Sequence, residues 1–202
     1  PGSSPPERPR NPLSGTEDSE DKRLSSILRI ERRLVIPPEE EELWKHVGGR
    51  SGEAAFAVAT ANGRVLLQRK RHYPADVYRL PTGRLQPGET AEAALRREVL
   101  EETGLVVRRT RDLAVIRFHV DYGGRTSGFE TRLFAVETFP GTLSPLDRSE
   151  GIVGYLAVSI GQLPGHWRRL RNLPAPLHAW GRFRAAPLAA LWSVFRRGRF
   201  AA

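Results

Sequence analysis

Three glutamates, Glu98, Glu101 and Glu102, recur at i, i+3 and i+4 beside Arg97, inside the stretch GRLQPGETAEAALRREVLEETGL that runs from Gly83 to Leu105. On a helix those positions share one side. Like charges at this spacing repel by a few tenths of a kcal/mol per exposed pair, and a cation held between them turns the repulsion into affinity. Carboxylate oxygens suit hard ions such as Mg²⁺ or Mn²⁺, which keep several waters and bind phosphates. Glu89, just before the helix, and Arg97, on it, have opposite charge. A salt bridge between them would brace the turn and orient the glutamates. A solvated acidic helix is the competing reading, because glutamate is a good helix former. Propensity alone does not explain the Gly, Arg and Glu spacing together.

The local signals around the glutamates define their element. Gln86-Pro87-Gly88 is a tight-turn signal, Thr90 suits an N-cap, and Gly104 suits the left-handed residue that ends a helix. Ala91, Ala94, Leu95 and Val99 form an apolar stripe, so the spacing predicts a helix over about 91–103. Strand patterns flank it. Segments 54–60 and 64–70 surround Ala-Asn-Gly, a hairpin signal, and 77–81 reads as a short strand entering the glutamate stretch. Segments 113–120 and 128–138 enclose DYGGRTS, a second hairpin loop, and 151–160 is a further strand. Residues 27–36 read as a strand and 37–47 as a short helix opened by proline with acids in its first turn. Strands on both sides of an amphipathic helix indicate an α/β or α+β sandwich.

The chain of 202 residues suits one domain with extensions. Residues 1–24 are rich in Pro, Ser and charge and are expected to be a disordered tail; 25–165 are expected to form the domain, and 166–202 a basic, partly helical extension. There is no Cys, which excludes disulfides, thiolate metal sites and Cys nucleophiles, and suits a reducing cytoplasm. No apolar run approaches the roughly 18 residues of a membrane span, and the N-terminus lacks a signal-peptide core. The chain lacks Met, so residue 1 is expected to follow a removed initiator. The formal net charge of +9 is concentrated: residues 151–202 carry 8 Arg and no acid. Such a surface attracts polyanions.

The stretch 83–105 resembles the Nudix box, G-x5-E-x7-R-E-U-x-E-E-x-G-U, with U an aliphatic residue. Gly83, Glu89, Arg97, Glu98, Val99, Glu101, Glu102, Gly104 and Leu105 match every fixed position. The resemblance covers about residues 50–165 and implies an α/β/α sandwich with a mixed sheet. It implies hydrolysis of a nucleoside diphosphate linked to a further moiety, with water and a divalent cation, Mg²⁺ or Mn²⁺. Carried over by position, Glu98, Glu101 and Glu102 would ligate metal together with the Thr82 carbonyl, and Gly83, Glu89, Arg97 and Gly104 would be structural. Metal ions in such a site neutralise phosphate charge and align in-line attack. A fold of this family that binds ligand without catalysis stays open as an alternative.

A general base must reach the attacking water. Glu150 precedes a strand at a position where relatives carry an acid, and Glu98 and Glu102 are the candidates within the box. For the substrate, RKRHYPADVYRLPTG (69–83) is similar to the upstream segment of ADP-ribose pyrophosphatases, and Arg69, Arg71 and Arg79 could meet a pyrophosphate. Tyr122 falls 17 residues beyond Leu105, where a tyrosine is associated with dinucleoside-polyphosphate hydrolases. ADP-ribose or a nucleotide sugar is the favoured phosphorylated small-molecule substrate; dinucleoside polyphosphates, (d)NTPs and RNA 5′ ends are alternatives. Leu188, Leu191, Trp192 and Phe195 share a helical face followed by arginines. That face suits packing on the core or on a second subunit, as in a homodimer. Nucleic acid or an anionic membrane surface are the other partners the basic C-terminus allows.

Overall fold

The computed structural model describes residues 27–45, 52–60 and 62–198. The segment expected to be a tail, 1–24, lies outside the described residues.

In chain order the elements are β1 (Leu28–Val35), a short helix α1 (Glu41–Trp44), β2 (Gly52–Val58), β3 (Val65–Lys70), β4 (Thr82–Arg84) and α2 (Ala91–Thr103). Then follow β5 (Val107–Tyr122), β6 (Arg125–Thr138), β7 (Ile152–Val158), α3 (Leu163–Arg171) and α4 (His178–Arg196). Five strands form one mixed sheet in the order β1-β5-β6-β2-β4, and β3 pairs with β7 in a second, two-stranded sheet. β1 is parallel to β5 and β2 to β6, whereas β5–β6 and β2–β4 are antiparallel.

The β5–β6 hairpin turns at Gly123-Gly124, with φ of 53° and 73°, the left-handed pair that a two-residue turn requires. The Ala-Asn-Gly signal does not give the hairpin expected from it. β2 already has β6 on one edge and β4 on the other, so β3 has no free edge of β2 to join and pairs with β7 instead. A single bridge, Ala59 to Val65, is what remains of the expected pairing. Segment 77–81 is likewise reduced to one bridge, Gln68 to Arg79, and the strand begins at Thr82.

The sheets are covered on both faces, giving an α/β/α arrangement. On one face Leu95 and Val99 of α2 pack on Phe56, Val58, Leu66, Phe134 and Val136. On the other, Phe183, Leu188, Leu191 and Val194 of α4 pack with Ile116, Phe118, Leu133 and Leu67. The apolar core therefore continues past residue 165. Of the face read from the sequence, Leu188 and Leu191 are buried, Trp192 is half-buried, and Phe195 is exposed and stacked on Trp192. Glu40, buried near α1, accepts hydrogen bonds from the backbone N–H of Ala179 (2.9 Å) and Trp180 (3.1 Å), so a carboxylate sits on the positive end of α4. Among the described residues, no helix is long and apolar enough to cross a membrane.

Candidate functional site

The glutamate helix begins and ends where its caps dictate. Thr90 accepts a hydrogen bond from the N–H of Ala93 (3.2 Å), and Gly104 closes the last turn with φ of 73°. Its final carbonyls are taken by the loop that follows β6: the N–H groups of Leu146 (2.9 Å) and Asp147 (3.2 Å) donate to the Glu101 carbonyl, and that of Ser144 donates to Thr103 (3.0 Å). These bonds anchor the loop, and three residues beyond Asp147 it delivers Glu150.

Arg97 organises the near side of the helix. Its Nε and Nη2 donate to the two oxygens of Glu89, each at 3.0 Å, and Nη2 also donates to the Arg84 carbonyl (2.9 Å). Its Nη1 donates to Glu98 (2.7 Å) and to Glu101 (3.0 Å). Glu89 also accepts from the Gln86 N–H (2.9 Å), which ties the Pro-Gly turn to the helix. The Arg97 guanidinium holds the Glu89 carboxyl below the usual carboxylate range. Burial pushes the Glu98 carboxyl up to about 7; Arg97 opposes that shift, and the negative charges of Glu102 and Glu101 reinforce it.

Gly83, on β4, lies against Glu98 so closely that a Cβ there would stand 1.7 Å from Glu98 Cγ. A glycine is required by that approach rather than by its backbone angles. The neighbouring Thr82 hydroxyl accepts from Arg79 (3.0 Å) and from Arg184 of α4 (3.1 Å). Arg184 also binds both oxygens of Glu53 on β2 (2.9 and 2.7 Å), and Thr131 donates to the same carboxylate (3.1 Å).

Glu102 faces the interior, with its side chain only 1% exposed. Lys70 Nζ lies 3.1 Å from Glu102 Oε1, yet neither carboxylate oxygen has a hydrogen-bond partner: the contact is an ion pair without hydrogen-bond alignment. The same ammonium contacts Glu150. Lys70 sits where the β3–β7 register slips, between Arg69 and Lys70. Irregularities of this kind re-aim a side chain, and they are over-represented beside active sites. Beyond Lys70 opens a cavity of about 650 Å³ lined by Lys70, Arg71, His72, Ser149, Glu150 and Gly151.

The residues singled out in the sequence are thus distributed unevenly. Glu98, Glu101 and Arg97 are joined directly, Glu102 and Glu150 are joined through Lys70, and Arg71 lines the cavity beside Glu150. Arg79 is buried, with its guanidinium bonded to the Tyr73 hydroxyl (2.7 Å), the Leu80 carbonyl (2.7 Å) and Thr82. Arg69 is half-buried, with its Nε shielded and without a partner. Tyr122 ends β5 at the hairpin tip, packs against the core and is not among the residues lining the cavity. Lys70, Glu53 and Arg184 were not singled out. Lys70 stood inside the basic segment already quoted, but no sequence signal linked Glu53 to Arg184, 131 positions away.

Among the described residues, no group of three or more His, Asp or Glu side chains is gathered as a finished metal cage; Arg97 is paired with Glu98 and Glu101, and Lys70 with Glu102. The donors nevertheless fit a hard cation. They are all oxygen, and Glu102 offers two buried oxygens that no hydrogen-bond donor satisfies.

The chain is 38% identical over 80 residues to an oxidized purine nucleoside triphosphate hydrolase of Danio rerio, covering 39% of this chain and 50% of that protein. It is 34% identical over 74 residues to an RNA pyrophosphohydrolase of Baumannia cicadellinicola subsp. Homalodisca coagulata, covering 37% of this chain and 45% of the relative. The chain thus spans about half the length of the curated relatives it matches. Among solved structures, a NUDIX hydrolase from Nitrosomonas europaea aligns with a TM-score of 0.48 at 21% identity, over 68% of this chain and 90% of that one. A MutT NUDIX hydrolase from Burkholderia pseudomallei aligns with a TM-score of 0.46 at 22% identity, over 68% and 97%. The family model of the NUDIX domain matches residues 49–180, about two thirds of the sequence, and the chain belongs to that family.

Proposed function

We propose that the chain hydrolyses a phosphoanhydride bond of a nucleotide substrate in a divalent-metal-dependent reaction. The observation that carries this reading is the unsatisfied, buried Glu102 carboxylate on the same helix side as Glu98 and Glu101, joined through Lys70 to an open cavity that bears Arg71, His72 and Glu150. Glu98, Glu101, Glu102 and the Thr82 carbonyl would hold the ion, Mg²⁺ or Mn²⁺, which when bound neutralises phosphate charge and polarises the bond to be broken. Arg97 keeps Glu98 and Glu101 in place by its bond to Glu89. Arg71 meets the negative charge of the substrate in the cavity, and Glu150, on the cavity wall, is the base that takes the proton of the attacking water.

For the substrate, the relatives named for oxidized purine nucleoside triphosphates and for RNA pyrophosphohydrolysis favour a nucleoside triphosphate or an RNA 5′ end. ADP-ribose and nucleotide sugars are the lesser alternative, because Arg79, which that reading assigned to the pyrophosphate, is buried with its Nε and Nη1 bonded inside the protein.

The test is a product-resolved panel of (d)NTPs including oxidized purines, 5′-triphosphorylated RNA, dinucleoside polyphosphates and ADP-ribose, with Mg²⁺ or Mn²⁺. Turnover of one class is expected to vanish in Glu101→Gln/Glu102→Gln. Glu150→Gln is expected to lower kcat by about a hundredfold or more. Turnover that persists in the double mutant, or the lack of any turnover by protein that binds metal, would overturn the reading in favour of a ligand-binding member of the family.

A further inference from the structure

The ammonium of Lys70 stands between Glu102, a carboxylate that a divalent ion would need, and Glu150, the proposed base. It reaches them from β3, while Glu102 comes from the last turn of α2 and Glu150 from the loop before β7. Three separately anchored elements therefore converge on one positive charge. The loop is fixed to α2 through the Glu101 carbonyl, and to β3 through the N–H of Arg71, which donates to Gly151 (2.7 Å). The Lys70 side chain is only 10% exposed, so its charge is offset by these carboxylates more than by water.

An ammonium at this point does two opposing things. It offsets the cost of holding the buried Glu102 near the half-buried Glu150, two like charges that would otherwise repel. It also places a positive charge against Glu102, where a metal ion would bind, and it delivers only one charge where the metal delivers two. The missing hydrogen-bond alignment at Glu102 leaves that carboxylate only partly satisfied, so the arrangement is exchangeable rather than closed. Space for the exchange exists, because Lys70 lines the 650 Å³ cavity.

We propose that Lys70 is a resident counter-ion of the metal seat: it holds Glu102 and Glu150 in register while no metal is bound, and it must withdraw into the cavity before a divalent ion settles. The inference rests on the metal-binding reading of α2. It has a consequence of unusual sign. Removing Lys70 strengthens metal binding and weakens the metal-free protein. A lysine with a purely structural role would weaken the fold with or without metal and would leave metal affinity unchanged or reduced.

The experiment uses the full chain and its Lys70→Met and Lys70→Gln variants. Mn²⁺ is titrated calorimetrically into each at fixed pH and ionic strength, and thermal unfolding is followed in chelator and in saturating Mn²⁺. If the ion-paired state occupies about nine-tenths of the metal-free molecules, both variants bind Mn²⁺ about tenfold more tightly than wild type. Their Tm falls below wild type in chelator, and the gap narrows in Mn²⁺. A second measurement needs no variant. Acetylation of wild-type lysines, read by mass spectrometry, modifies Lys70 slowly in chelator and faster once Mn²⁺ is added, while the exposed Lys45 serves as internal reference. This measurement carries the test if either variant fails to fold. Equal or weaker Mn²⁺ affinity in folded variants, or Lys70 acetylation indifferent to Mn²⁺ that the protein binds, overturns the proposal and leaves the hydrolase reading standing. Failure of wild type to bind Mn²⁺ overturns the metal reading, and the proposal with it.

Discussion

Gly83 shows how little room the site leaves for a single methyl group. With a Cβ 1.7 Å from Glu98 Cγ, either β4 or the glutamate must move. Gly83→Ala is expected to destabilise the fold by about 1–3 kcal/mol in urea titration, the usual cost of overpacking, and to weaken Mn²⁺ binding by displacing Glu98. Glu89 makes a prediction about pH. Its carboxyl is held low by Arg97 and by the Gln86 N–H, so it binds protons less readily folded than unfolded. Its contribution is complete above the unfolded carboxylate range and is lost as pH falls through the lower, folded value. Glu89→Gln is therefore expected to lower stability by a constant amount above about pH 4.5 and to converge with wild type as the pH falls below it, which flattens the acid side of the profile; a profile parallel to wild type would contradict this. The pairing of Glu89 with Arg97 was readable from their charges and spacing. The role of Lys70 was not, because a register slip decides where its side chain points, and strand alternation carries no record of a slip.

At the scale of elements, α2 was the most legible part of the chain because its limits are set locally. Turn, cap, apolar stripe and terminal glycine all lie within 23 consecutive residues, and the helix spans the expected positions 91–103. Thr90→Ala removes the bond to Ala93 and is expected to cost about 1 kcal/mol in chemical denaturation; a loss near zero would mean that the helix start is held by Arg97 and Glu89 instead. The β5–β6 hairpin was legible for the same reason, through its two glycines. The hairpin expected at Ala-Asn-Gly was realised only as one antiparallel bridge, because strand pairing is settled by which edges other strands already occupy, and that is a property of the whole sheet.

At the scale of the molecule, the C-terminal helix is structural as well as basic. Phe183 stands against three rings, with centroids 5.3 Å from Trp44, 4.8 Å from Phe118 and 5.4 Å from Phe129. Phe183→Ala is expected to cost about 3–5 kcal/mol in equilibrium unfolding, the range for an aromatic removed from a packed core. A loss below 1 kcal/mol would show that α4 is an accessory rather than part of the core. The arginines on its outer side gave a compositional signal, but composition did not reveal that one of them, Arg184, turns inward to Glu53 and Thr82.

That inward arginine sets an order of events during synthesis. Glu53 and Arg184 are separated by 131 positions, and a ribosome adding about 5–20 residues per second makes the second roughly 7–26 s after the first. Glu40 waits longer still for the two N–H groups of α4 that it binds, 139 and 140 positions away. Through that interval Glu40 lacks the N–H groups that it binds, Glu53 has no guanidinium to bind, and the start of the glutamate stretch lacks one of the two guanidinium groups that hold Thr82. The apparatus near the middle of the chain is therefore completed only when the translating ribosome has moved well past it, and the nascent chain finishes its site from the far end.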